Sequence, residues 1–204
     1  MAATLTTSEA VKLAALAEFT AFGYRRTSIE SIARRADVSR ATVYSYWSNK
    51  EELFRALVSQ LHQNHVSAMR AVAEDPDLDI GSRITQLLRA QFIQFVELTA
   101  TSPYAAELYD CHGTLCGDIA RDAQQQAGKI LSTALKRAVK AGQLDLTASG
   151  LTVAQLAGVL TDCAYGAKGE DPAAATPTDF ATRLANSVRV IIAGAGSTKS
   201  RDRG

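Results

Sequence analysis

The sequence predicts an all-α protein of about nine helices: a small N-terminal helical unit and a larger helical body behind it. Three observations carry this. Apolar residues recur at three- and four-residue spacing in almost every segment long enough to hold a helix. Ser/Thr-x-x-Glu pairs, which close a helix N-terminus reciprocally, stand at Thr6–Glu9, Thr27–Glu30 and Ser48–Glu51. No stretch alternates apolar and polar residues as a half-buried strand does, and there is no internal repeat. With 204 residues, 47% hydrophobic and 21% charged, the chain has the composition of a globular protein with a sizeable core.

The first helix starts at Thr6 and carries Val11, Ala14, Ala15, Phe19 and Phe22 on one face until Gly23 ends it. The second starts near Ser28, with Ile29, Ile32 and Ala33 inward. Asp37-Val38-Ser39 breaks it, and Ser39 caps a third helix from Arg40 to Trp47. Two short helices joined by a turn of three or four residues form a helix-turn-helix unit. Val43 and Trp47, four apart, hold the third helix to the core. Its free face is Arg40, Thr42, Tyr44, Ser45 and Tyr46, side chains that bond phosphates and base edges rather than merely attract water.

Beyond Lys50 a long helix runs to about Ala73, with Phe54, Leu57, Val58, Leu61, His65 and Met69 along one face. An acidic, proline-containing linker follows. The next helix, 81 to 99, is apolar nearly all round (Ile84, Leu87, Leu88, Phe92, Ile93, Phe95, Val96, Leu98) and should be central. Ser102-Pro103 marks a short helix, and a longer one runs from about Leu115 to Ala141, closed by Gly142. Two more helices span about 151–165 and 178–193, the latter capped by Thr178. The Gly/Ser/Lys/Arg composition of 195–204 predicts a disordered tail. The domain reading is a helix-turn-helix unit at 1–50, a helical body at 51–194, and that tail.

The residues GYRRTSIESIARRADVSRATVYSYWSNKEEL resemble the DNA-binding domain of the tetracycline-repressor (TetR) family of bacterial transcription regulators. Phe19, Gly23-Tyr24, Thr27-Ser28, Ile32-Ala33, Val38-Ser39, Thr42-Val43-Tyr44, Asn49-Lys50-Glu51 and Leu53 carry the likeness, over about residues 8–55. Asp37 stands where the family often has Gly, and Asp tolerates the left-handed backbone such a turn needs. Trp47 replaces the usual Phe.

The resemblance implies a double-stranded DNA operator, a small-molecule effector and a homodimer. It assigns phosphate contact to Thr27, Ser28, Tyr44 and Lys50. It places Arg40, Ala41, Thr42, Ser45 and Tyr46 against base edges or flanking phosphates, and Arg40 can either read guanine O6/N7 or hold a phosphate. It implies an effector pocket in the body, for which Phe54, Leu61, Phe92, Phe95, Tyr104, Tyr109, Ile130 and Tyr165 are candidates. Their bias suits a hydrophobic or aromatic effector rather than a highly charged one. It also implies dimerisation through the last two helices, with Leu156, Leu160, Leu184, Val188 and Ile191 as candidates. A palindromic operator and repression by release follow, with activation or sequence-independent DNA binding as alternatives.

Charge distribution agrees. Residues 1–50 hold seven Lys/Arg against four Asp/Glu, so +3, which leaves −2 for the rest of a chain whose net charge is +1. An apolar membrane-span-length run and an export signal are both missing, so the expected location is cytoplasmic, with no membrane partner. Three cysteines, an odd number, read as free thiols. Cys111, His112 and Cys116 could in principle supply zinc ligands, but no second ligand pair follows, and the expectation is no metal and no cofactor. Without a nucleophile elbow, HExxH, phosphate loop or dinucleotide fingerprint, an enzyme is the weaker reading.

Overall fold

The computed structural model describes residues 5–169 and 176–195. Among these residues there are eight helices and no strand: α1 (Thr7–Arg26), α2 (Ile29–Arg35), α3 (Arg40–Tyr46), α4 (Lys50–Glu74), α5 (Ile80–Thr101), α6 (Ala105–Lys140), α7 (Val153–Ala167) and α8 (Pro177–Gly194). The all-α expectation holds. The count is eight because the two helices predicted after Ser102 form one, α6, kinked at Cys116 (φ −130°, ψ 18°). Ser102-Pro103 does not start it. Ser102 caps the C-terminus of α5, and its hydroxyl donates to the Thr20 carbonyl at 2.7 Å, which ties this corner to α1.

The helix starts are set by hydroxyls and amides, in three cases one or two residues away from the predicted position. The Thr6–Glu9 box is present. At α2 the cap is Ser28 with Ser31, not Thr27 with Glu30, because Thr27 still closes α1. At α4 it is Asn49, whose side chain accepts from the Glu52 N–H, rather than Ser48 with Glu51. At α8 it is Thr176, with Pro177 at the first helical position, rather than Thr178. Each shift of one or two residues reflects a choice among adjacent side chains able to cap equally well.

Gly23 does not end α1 but kinks it, with φ +77°. A Cβ there would lie 2.7 Å from Glu107 Oε2, so both the backbone and the packing against α6 require glycine. The kink turns Phe22 outward, 46% exposed, against the expectation that it faces the core.

Two apolar clusters organise the chain. One joins α1–α3 to the first turns of α4, with Val11, Phe19, Ile32, Val43, Trp47, Leu53, Phe54 and Leu57 among its members, and Cys116 of α6. The other fills the body between α4, α5, α6, α7 and α8, with Met69, Leu87, Leu88, Phe92, Leu131, Leu135, Phe180 and Leu184. The predicted division after residue 50 therefore cuts through the first cluster. α4 belongs to both: at 1.5 Å per residue it is about 37 Å long, and it carries the reader core at one end and the body core at the other.

Leu156, Leu160, Leu184 and Val188, expected at a dimer interface, are at most 1% exposed inside the single chain's own core, and Ile191 is half-buried against it. The small and aliphatic stripe that suggested a partner serves to pack α7 and α8 on α5 and α6. The faces that α7 and α8 leave uncovered bear Ala154, Gly158, Val159, Asn186, Arg189 and Val190 instead. Of the expected tail, Ala195 is buried at the end of α8, and 196–204 lie outside the described residues.

Candidate DNA interface and effector cavity

The reader is built from its turn outward. α2 ends at Ala36, and Asp37 then takes φ +55°. The Val38 N–H returns to the Ala33 carbonyl at 3.0 Å, which closes the turn. Ser39 caps α3 by accepting from the Thr42 N–H at 3.0 Å. Val43 is fully buried and Trp47 7% exposed, so α3 lies on the core by that edge. Its opposite face presents Arg40, Ala41, Tyr44, Ser45 and Tyr46 to solvent, with Thr42 half-buried. The Arg40 guanidinium sits 5.9 Å from the Tyr44 ring centre, a cation–π contact that holds both on the exposed side. Ser28, also exposed, stands at the N-terminus of α2.

Two expected phosphate contacts are engaged elsewhere. Thr27 is 3% exposed, and its hydroxyl donates to the Gly23 carbonyl at 2.7 Å and the Glu18 carbonyl at 3.2 Å. It locks the α1–α2 corner rather than facing outward. The Lys50 ammonium donates to the carbonyls of Tyr24 (2.8 Å) and Thr27 (2.9 Å) and lies 4.4 Å from the Tyr24 ring centre. Burial lowers its pKa, the cost of satisfying the carbonyls at the end of α1. Lys50→Met should therefore lower unfolding stability by about 2 kcal/mol, as for a charge-assisted bond. A lysine serving phosphate alone would leave denaturant midpoints unchanged.

The reader is fastened to the body at a second place. The Arg25 N–H donates to Glu107 Oε1 at 2.7 Å, and Arg26 Nη1 donates to the Tyr104 hydroxyl at 3.1 Å. Arg55 of α4 grips α6 at its kink, donating to the Leu115 carbonyl and to both Asp118 oxygens (2.9 and 2.7 Å). That grip holds the Asp118 carboxyl down to about 2.

Between these attachments lies a cavity of about 230 Å³. α1 contributes Leu16, Phe19 and Thr20; α4 contributes Phe54, Leu57, Val58, Leu61, His62 and His65. α5 adds Gln91, Phe92, Phe95, Leu98 and Thr99, α6 adds Leu108, Tyr109, His112, Ala120 and Gln124, and Tyr165 and Lys168 complete it from α7 and its end. Of the eight candidates, Phe54, Leu61, Phe92, Phe95, Tyr109 and Tyr165 line it. Tyr104 does not, because its hydroxyl is taken by Arg26 at the reader joint. Ile130 does not either; it packs into the body core further along α6. Tyr109 and Tyr165, 58% and 40% exposed, mark the mouth.

All three histidines of the chain converge on this cavity. His62 Nε2 and His112 Nε2 are 3.0 Å apart, the His62 and His65 rings meet edge to face at 5.0 Å, and Phe95 abuts all three. His62 Nδ1 and both ring nitrogens of His65 are buried without a hydrogen-bond partner among the described residues. Sequence reading placed only His65 on this face. His62 and His112 are 50 residues apart, and nothing in the sequence pairs them. The Cys111/His112/Cys116 trio is dispersed: Cys111 and Cys116 pack with the reader core while His112 turns into the cavity. Burial pushes the Cys116 thiol up to about 11. No metal-holding group of three or more His, Cys, Asp or Glu occurs among the described residues.

Burial lowers His62 and His65 to about 4 from the usual 6.5, with repulsion from the neighbouring imidazoles adding to it for His62. An unfolded chain protonates these histidines near 6.5, before the folded one does. Stability is therefore full above pH 6.5 and is lost as pH falls from 6.5 to about 4, by about 3 kcal/mol for each histidine. Calorimetry across that window should show the melting temperature falling, and His65→Leu should flatten the slope.

Comparison with known proteins decides the class. The family model for bacterial regulatory proteins of the tetR family matches residues 13–57. TtgR of Pseudomonas putida, an HTH-type transcriptional regulator, is 31% identical over 143 residues, covering 66% of this chain and 68% of TtgR. The chain belongs to the TetR family of transcriptional regulators. It is a DNA-binding regulator, as its relatives are, and not an enzyme. The HTH-type transcriptional repressor SCO4008 of Streptomyces coelicolor is 31% identical over 123 residues, 55% of this chain and 62% of that one. The matched stretches span 60–68% of the relatives with the longest alignments. In fold, SmeT, the repressor of the Stenotrophomonas maltophilia multidrug efflux pump SmeDEF, superposes with a TM-score of 0.67 at 21% identity, over 96% of this chain and 92% of SmeT. SmeT is also known in complex with triclosan; that structure superposes with a TM-score of 0.66 at 19% identity, over 97% of this chain and 98% of that one. No described helix is long and apolar enough to cross a membrane.

Proposed function

We propose that this protein is a cytoplasmic homodimeric repressor that leaves a palindromic operator when a small hydrophobic or aromatic molecule enters the cavity. One observation carries the reading: the first helix of the reader is itself a cavity wall. Leu16, Phe19 and Thr20 of α1 and Phe54 of α4 face the same space as Phe92 and Phe95 of the body. Phe19 and Phe54 stack edge to face at 5.2 Å within the reader core. An occupant of that space touches the reader directly, and it changes DNA affinity if it binds one reader position more tightly than the other. SmeT's complex with triclosan supports an effector of this kind.

In this reading the exposed faces of α7 and α8 pair with their copies. The two α3 helices enter successive major grooves about 34–36 Å apart, reading half-sites related by two-fold symmetry. Arg40, Ala41, Thr42, Ser45 and Tyr46 face the groove, and Ser28 and Tyr44 meet the backbone. Thr27 and Lys50 support them from inside.

The test is fluorescence anisotropy with a duplex selected from a random library, titrated with triclosan. Release of the duplex is expected. Leu61→Trp, which fills the cavity, should keep DNA affinity and abolish release. Equal release from that variant would place the effector elsewhere.

A further inference from the structure

The polar end of the cavity points to the chemical class of its occupant. Lys168 lines the cavity at half burial, its ammonium 4.6 Å from the Tyr165 ring centre and 5.2 Å from that of Phe92. No carboxylate pairs with it among the described residues, and its positive charge reaches His112. His112 meets His62 at 3.0 Å, and His62 and His65 are only 8% and 5% exposed, with three ring nitrogens unpartnered among the described residues. A buried imidazole nitrogen without a partner forfeits a hydrogen bond, so an occupant able to supply one is favoured. Among the described residues no Asp or Glu lines the cavity, which leaves an amine nothing to pair with there. The remaining lining is mostly apolar and rich in aromatic rings, with Thr20, Gln91, Thr99 and Gln124 as its neutral polar members, and the volume of about 230 Å³ lies below the range of about 300–1,000 Å³ usual for drug-sized ligands.

We propose, resting on the effector reading above, that the occupant is a small aromatic carboxylic acid. Its ring system lies among Phe92, Phe95 and Tyr165, and its carboxylate is received by the Lys168 ammonium and imidazole N–H groups of the histidine cluster. The lysine distinguishes this from a neutral aromatic. The two rings stabilise the ammonium in a poorly solvated place, and an entering anion completes the pairing. The imidazoles alone would serve a neutral hydroxyl equally well.

Isothermal titration of the full chain with 2-naphthoate and with its neutral isostere 2-naphthamide tests the charge requirement. Operator anisotropy with the same compounds is run alongside. The acid should bind about tenfold or more tightly than the amide, as a charge-assisted bond requires. Lys168→Met should remove that preference, Lys168→Arg should keep it, and both variants should show the wild-type helical circular dichroism and a cooperative melt as proof of folding. Equal affinity of the wild type for the two compounds overturns the inference. So does an unchanged preference in Lys168→Met. If both compounds release the operator equally, the carboxylate is dispensable and the effector reading stands. If neither binds while triclosan still releases the operator, the carboxylic-acid inference falls and the effector reading stands; if triclosan also fails to release it, both fall.

Discussion

Replacing Arg40 by alanine is expected to weaken binding to the selected operator roughly 10- to 100-fold, while affinity for random duplex changes by no more than about threefold. Arg40 is the first residue of α3, exposed, and held by the Tyr44 ring on the side away from Val43 and Trp47. The N-terminal residues of a recognition helix are those that reach base edges. A guanidinium fork bidentate on guanine O6 and N7 contributes about 1–3 kcal/mol of discrimination, which that ratio expresses. Competition anisotropy at fixed salt against both duplexes measures it. An equal loss on both would make Arg40 a phosphate contact. The substitution removes no buried group, so the folded state is untouched and the comparison is clean.

A matched pair of substitutions at the C-terminal helices should separate core from interface. Leu184→Ala is expected to cost about 2–5 kcal/mol of stability, because Leu184 is fully buried between α8 and α5 and a cavity would remain. Val190→Arg should cost the folded chain about 0.5 kcal/mol or less, since Val190 is 72% exposed. In the proposed dimer it would bury unpaired charges related by the two-fold axis, and light scattering should then report a folded monomer. Its operator affinity should fall steeply, because one half-site alone anchors the complex. A dimer that survives Val190→Arg would put the interface on another face.

Local chemistry made most of the reader legible in advance. Helix starts, the Asp37 turn and the Val43–Trp47 anchoring edge depend on residues within four positions of one another, and those contacts recur wherever the sequence does. The same locality explains the small errors. Thr27 and Ser28, or Ser48 and Asn49, are neighbours of nearly equal capping ability, and only the surrounding packing chooses between them. Ser102-Pro103 carries a correct start signal, but the chain turns there to reach Thr20, and α6 begins after it.

The burial of Leu156, Leu160, Leu184 and Val188 shows where sequence periodicity stops. An apolar helical stripe says that a face is covered, not whether the cover is the same chain or a second one. The reassignment of Thr27 and Lys50 has a related cause: a hydroxyl or an ammonium at a helix end suits a phosphate and a backbone carbonyl equally. By itself the sequence determined the all-α class, the helix-turn-helix and the family, because each rests on short-range patterns. Tertiary structure alone decided that α1 forms a wall of the cavity and that His62, His65, His112 and Lys168 line that same cavity. Those residues lie on three separate helical segments, and only the packing of α4, α6 and α7 brings them together.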